Sequence, residues 1–210
     1  MYEKNPIIVH KFALMKQMIL LLVTVLLLAG CWSAREKRLI ADGDGLMRVL
    51  QVTHPQDSVV LRAISIEFQA SMLGSPTYRK LCDRMLLTVQ NPENEGVGIA
   101  APQVGINRRL VAVQRFDKEG EPFEFYPNIR IVAVRGDSLA GREGCLSVPG
   151  LRGIVRRSQD IDIYYLNPLT LRDTLERVTG FTAVIFQHEI DHLDGILYTD
   201  RADSVFVNER

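Results

Sequence analysis

His188-Glu189-Ile190-Asp191-His192 concentrates the chemistry of this sequence. On a helix, residues i and i+4 share a face, so both imidazoles can reach one metal ion. Glu189 stands beside the first of them, placed to act on a water as general base and then as general acid. The run before the motif, Phe181-Thr182-Ala183-Val184-Ile185-Phe186, is almost wholly apolar. A helix of that kind is buried, and two solvent-facing histidines sit unnaturally on it. A hydrolytic metal site needs a third protein ligand and an open position. Downstream the chain offers Asp194, Asp200, Asp203 and Glu209, and no histidine. Upstream, Glu143-Gly144-Cys145-Leu146-Ser147 offers Cys145 as a thiolate in a Gly-bearing loop or strand. Taken alone, a single cysteine reads first as a small buried hydrophobe.

The rest of the chain has to position these groups. Its 210 residues are 47% hydrophobic and 24% charged, the mix of a globular protein and not of a disordered chain or a rod. Lys+Arg and Asp+Glu each number 25, giving a formal net charge of +0. That balance, with no Lys/Arg run of the nucleic-acid-binding kind, excludes a nucleic-acid partner. Three cysteines are too few for a disulfide framework. The segment 47–52 reads as extended. Ser75 and Pro76 predict the start of a helix running to Val89, with Leu81, Met85 and Val89 on one stripe. Residues 109–114 read as a strand, 117–120 as a turn, 123–134 as β-rich, 161–165 as a strand and 167–168 as a turn. The motif helix should run from Phe181 to Asp194, with Gly195 just past its last turn. Runs of strands with two helices predict an α+β fold.

The N-terminus predicts an address. Met18 to Gly30 reads MILLLVTVLLLAG, uncharged and too short to cross a bilayer, with Lys16 and Lys11 ahead of it and Met15 as an alternative start. Leu28-Ala29-Gly30-Cys31 resembles a bacterial lipoprotein cleavage box, in which the cysteine is lipid-modified and becomes the first residue. The expected organisation is a signal segment at 1–30, a polar tether at 31–45 and a single domain at 46–210.

Three blocks in order resemble the signature of the peptide deformylases: Gly96-Val97-Gly98-Ile99-Ala100-Ala101-Pro102-Gln103, then Glu143-Gly144-Cys145-Leu146-Ser147, then Gln187-His188-Glu189-Ile190-Asp191-His192-Leu193. The likeness extends over roughly 46–203. It implies antiparallel β-sheets packed around a buried C-terminal HExxH helix. It also implies a Cys145-His188-His192 site for Fe²⁺, with Zn²⁺, Ni²⁺ or Co²⁺ as substitutes. The implied reaction removes the formyl group from an N-formylmethionyl peptide. Glu189 would move the proton, and the Gln103 side chain and the Leu146 backbone N–H would steady the oxyanion. Gly96 and Gly98 would let the backbone approach the substrate. Arg152 would lie near the peptide cleft, and the pocket for the methionine side chain should be apolar, with Val97, Ile185 and the neighbours of His188 as candidates. Asp191 would orient an imidazole or an arginine, and Cys82 would pack in the core. At Tyr126-Pro127-Asn128 the chain departs from the Asn-before-Pro order of the family, so a different local turn is expected.

Chemistry and address conflict, because nascent formylated chains are cytoplasmic. The expectation that satisfies both is an exported, monomeric enzyme, held at the membrane through lipid on Cys31, on the periplasmic side or at the cell surface. Two alternatives stand beside it. One is a lipid-anchored, non-catalytic binder of formyl peptides or deformylase inhibitors. The other is an HExxH protease, in which Cys145 would not be a ligand.

Overall fold

The computed structural model describes Lys16 and residues 31–94 and 96–208. Apart from Lys16, the expected signal segment, with its apolar run 18–30, lies outside the described residues.

Helix α1 (Ala34–Ala41) starts at Ser33, whose hydroxyl accepts from the Glu36 N–H while the Glu36 carboxylate accepts from the Ser33 N–H. This reciprocal cap satisfies two otherwise orphaned donors. The segment expected as a tether is therefore ordered against the domain. Trp32 and Ile40 are buried, and Arg108, itself buried, donates to Glu36 Oε1 at 2.6 Å. Polar composition hid this docking, because two apolar side chains and one inward glutamate suffice to seat a helix of eight residues. Helices α2 (Pro55–Leu61) and α3 (Ala70–Leu73) lead to α4 (Pro76–Val89). The start of α4 is as expected: the Ser75 hydroxyl accepts from the Tyr78 N–H at 3.1 Å, with Pro76 in the first turn. Residues 47–51 form no strand, although extended backbone had been expected there. Their N–H groups bond outward instead, Leu50 to the Gln103 carbonyl at 2.8 Å, followed by Val52 to the Ser147 carbonyl at 2.9 Å.

The first sheet is antiparallel, in the order β1 (Gly98–Ala100), β2 (Leu110–Gln114), β3 (Phe123–Pro127). Both of its faces are covered. Ile99, Leu110 and Ala112 pack with Leu81, Met85 and Val89 of α4. Ala100, Val111 and Val113, pointing the other way, pack with Ala183, Ile185 and Phe186. Two-sided burial explains why Leu110-Val111-Ala112-Val113 is apolar at every position rather than at every second one.

The β-rich stretch after residue 123 divides at Asn128, which has φ 56. The Asn128 carboxamide accepts from the Phe68 N–H at 2.7 Å and donates to the Phe68 carbonyl at 2.9 Å, so the asparagine after the proline ties this turn to a distant loop. Beyond it run β4 (Arg130–Cys145) and β5 (Val148–Leu166), a long antiparallel hairpin. β6 (Asp173–Thr179) pairs with the far half of β5, and β7 (Ser204–Val207) pairs with its near end. The ladder of β4 and β5 is irregular between Glu143 and Cys145. An irregularity of this kind bends a strand and re-aims its side chains.

Helix α5 (Gly180–Leu193) lies between the two sheets, one residue longer at its start and one shorter at its end than expected. It ends at Gly195, which has φ 71, and where an added Cβ would collide with the Arg62 backbone. A short helix α6 (Tyr198–Arg201) follows. The α+β architecture with a buried motif helix is the one expected.

Candidate active site

Two elements converge on one point. The irregular end of β4 delivers Cys145, and successive turns of α5 deliver His188 and His192 on one face. Ligand atoms of these three side chains all lie within 4.8 Å of one another. Cys145 Sγ and His192 Nε2 are 3.2 Å apart. The Ser147 N–H and Gln103 Nε2 also point at the sulfur, at 3.4 Å and 3.5 Å. Burial works against a charged sulfur, but the His192 and His188 imidazoles outweigh it and hold the Cys145 thiol well below its usual range. Thiolate and imidazole are borderline-soft donors suited to a divalent transition metal. Among the described residues, the His192 Nδ1 and Glu189 Oε2 atoms are buried without a hydrogen-bond partner. The donor set and the orphaned Glu189 oxygen fit a cation held by Cys145, His188 and His192 with Glu189 beside it.

His188 is held by a carboxylate. Its Nδ1 lies 2.8 Å from Glu143 Oε2. Burial would raise the Glu143 carboxyl, but His188 and Arg157 pull it down to about 2. An ionised carboxylate can only accept, so His188 Nδ1 carries the proton and its Nε2 lone pair is left for a ligand. Arg157, buried at the centre of the cluster, donates to Glu143 Oε1 at 2.8 Å and to Asp191 Oδ2 at 2.6 Å. Arg201 approaches Asp191 from the surface side at 2.6 Å and 2.7 Å. Asp191 thus orients arginines and not a histidine. The residue types alone do not reveal the roles of Glu143, Arg157 and Arg201. The one available signal was a glutamate within the Cys145 motif.

Glu189 is 4% exposed, and burial pushes its carboxyl up to about 7. Gly98 faces it: a Cβ there would stand 2.6 Å from Glu189 Oε1. The Gln103 amide is oriented by its other end. Its Oε1 accepts the Ala100 N–H at 2.8 Å, which leaves Nε2 to donate towards Ser147 Oγ at 3.3 Å and Cys145 Sγ.

These groups line one side of an open cavity of about 570 Å³. Gly96, Val97, Gly98, Gln103, Cys145, Leu146, Arg152, Ile185, His188 and Glu189 all line it, whereas His192 stands behind the sulfur, 1% exposed. The structure therefore brings together every site residue expected from the sequence. Val49 and Gln51, from the segment before α2, line the cavity as well and were not expected there. Arg152 lies directly over Gly144, at a spot that any Cβ would fill. Cys82 is partly buried against the α4 cluster.

A family model described as Polypeptide deformylase matches residues 46–206. Over 132 residues the chain is 40% identical to a peptide deformylase of Desulforudis audaxviator, spanning 63% of this chain and 82% of that protein. Peptide deformylase 2 of a Nostoc species is 41% identical over 134 residues, 61% of this chain and 73% of that one. Among solved structures, a Met-Ala-Ser-bound class I type b peptide deformylase from Acinetobacter baumannii superimposes with TM-score 0.65 at 33% identity, over 76% of this chain and 99% of that one. The Thermotoga maritima peptide deformylase gives TM-score 0.64 at 30% identity, over 76% and 99%.

Proposed function

Because the chain belongs to the polypeptide deformylase family, we propose that the cavity described above is where it works, with Cys145, His188 and His192 as metal ligands. The protein is a metal-dependent hydrolase that removes the formyl group from N-formylmethionyl peptides. A cation held by the three ligands supplies Lewis acidity for the formyl carbonyl and acidifies water.

Glu189 takes the proton of the attacking water and returns it to the leaving amine. A carboxyl near 7 suits both halves of that transfer at neutral pH. Gln103 Nε2 and the Leu146 N–H donate to the developing oxyanion, and the fixed amide orientation of Gln103 makes its donor available without reorganisation. β1 is an edge strand of its sheet. An extended substrate backbone adds alongside Gly96-Val97-Gly98 in the manner of an extra strand, with Val97 and Ile185 around the methionine side chain and Arg152 also lining the cavity. Fe²⁺ is the resident ion in this reading, with Zn²⁺, Ni²⁺ or Co²⁺ able to replace it, since one thiolate and two imidazoles suit all four. The observation that carries the reading is the buried Glu189 carboxylate without a partner beside the three clustered ligand atoms.

The test is formate release from formyl-Met-Ala-Ser by the metal-loaded protein and by Glu189→Gln. Release by the wild type, reduced about 100- to 10,000-fold in the variant, is the expected result for loss of a general base. No formate from a folded, metal-loaded wild type would overturn it in favour of a binding role.

The place of action in this reading is outside the cytoplasm, with the domain anchored through lipid on Cys31. It rests on the apolar run 18–30 and on Leu28-Ala29-Gly30-Cys31. Among the described residues no helix is long and apolar enough to cross a membrane, and Cys31 is exposed. Recovery of the native protein from the cytosolic fraction, starting at Met15 and without lipid, would sink this assignment.

A further inference from the structure

The outer face of α1 carries charge that the fold does not use. Arg35, Lys37 and Arg38 are exposed, and among the described residues none of their side chains has an ion pair or hydrogen bond. Many exposed cations elsewhere are matched, Arg48 with Asp57, Arg62 with Asp200, Lys80 with Asp44, Arg130 with Glu67 and Arg177 with Asp160, and those without a carboxylate, such as Arg79, Arg142 and Arg172, do not lie together on one helix. Glu36, the one acidic residue of α1, points inward to Arg108. At about 100° per residue, Arg38 stands opposite Glu36 and the buried Ile40, with Arg35 and Lys37 on the two flanks.

The peptide leading into this helix is clamped. The Cys31 carbonyl accepts from Arg108 Nη2 at 2.8 Å. Trp32 is 9% exposed, its ring 5.6 Å from Phe68 and 5.6 Å from the Arg108 guanidinium. No slack separates Cys31 from the body of the domain. The uncharged run 18–30, or any lipid on Cys31, reaches the domain at a fixed point beside the basic face.

We propose that this face is a docking surface for an anionic phospholipid bilayer. The Arg35, Lys37 and Arg38 side chains lie among the headgroups and hold the domain directly on the membrane instead of on a leash. Each Lys or Arg close to an anionic surface strengthens binding about fivefold. None of residues 31–41 lines the cavity, so contact through α1 leaves the cavity clear. The inference rests on the export reading for the presence of a membrane at Cys31, but the electrostatic contact can be tested separately.

The test is lysine acetylation of the full-length protein with a water-soluble reagent, read by peptide mass spectrometry. The protein is placed in detergent, in phosphatidylcholine vesicles, and in vesicles of equal parts phosphatidylcholine and phosphatidylglycerol. Lys37 is the reporter and Lys118 the reference within the same chain. The expected result is several-fold protection of Lys37 only in the anionic vesicles, reversed by high salt. In Arg35→Gln/Arg38→Gln, which keeps helix-forming side chains, the surface-bound state should weaken about thirtyfold and the protection should vanish. The mass of the Cys31 peptide reports acylation in the same digest. An acylated Cys31 with Lys37 as reactive as in detergent would overturn the docking surface and leave the export reading standing. Equal protection in both kinds of vesicle would also overturn it, because the contact would not be electrostatic. Protection of Lys37 in anionic vesicles with an unmodified Cys31 would support the docking surface while the lipid-anchor reading fails.

Discussion

Gly98 has no side chain because Glu189 and Ile185 occupy the space where one would go. Gly98→Ala should push the Glu189 carboxylate off its position. The expected outcome is a large fall in kcat with a stability cost of about 1–3 kcal/mol, the usual range for overpacking, read by formate release and thermal melting. Arg157 presents a different dependence. It is 4% exposed and bridges two buried carboxylates, Glu143 and Asp191. Arg157→Ala should cost about 3–5 kcal/mol in equilibrium unfolding, because both carboxylates would lose their buried cation. The same change frees Glu143 from one of its holds on His188, so metal affinity should drop about 10- to 100-fold, measured by competition with a chelator. The two histidines and Glu189 were legible in the sequence because one turn of helix fixes the relation between positions 188 and 192. The Arg157 cluster was not, since its partners come from β4, β5 and α5 and share no local spacing.

The contrast between α1 and α5 shows when an element can be read from its pattern. The start of α5 is apolar on nearly every face, and burial between two sheets follows from that. α1 reads as polar, which is the pattern of a tether. Its docking depends on Trp32, Ile40 and the Glu36–Arg108 pair, whose arginine is distant in sequence. Burial alone would raise the Glu36 carboxyl, but bonds from Arg108 and Ser33 hold it below its ordinary value of 4.5. A depressed folded-state value means that this contribution to docking is complete above the unfolded value and is lost as pH falls through the folded one. Trp32 is the single tryptophan, so its emission reports the docking directly. Acidification should shift wild-type emission to longer wavelength before the secondary structure melts. Glu36→Gln should show the longer-wavelength emission already at neutral pH and lack this acid step.

At the scale of the molecule, the order is α4, first sheet, α5, second sheet, and the two larger apolar clusters fill the spaces on either side of the first sheet. None of the three proposed ligands belongs to those clusters. Cys145 sits in a smaller one with Val148, Val155, Leu197 and Tyr198. Stripping the metal with a chelator should therefore abolish formate release and lower Tm while leaving the far-ultraviolet circular dichroism unchanged. Adding metal back should restore both. A fold that collapsed on chelation would show that the ligands, not the layers, hold the two sheets around α5.

Sequence alone determined the relations that backbone geometry makes local: the paired histidines one helical turn apart, the capped start of α4 and the buried character of α5. The residues by themselves left Cys145 open between ligand and buried hydrophobe, and it was the likeness of three ordered motifs that favoured the ligand. Only the tertiary structure decided that the bent end of β4 carries its sulfur to 3.2 Å from His192, that Glu143 and Arg157 fix the imidazole of His188, and that residues 31–41 are seated on the domain. Contacts of this kind are set by packing between elements far apart in the chain, where no periodicity of the backbone connects the partners.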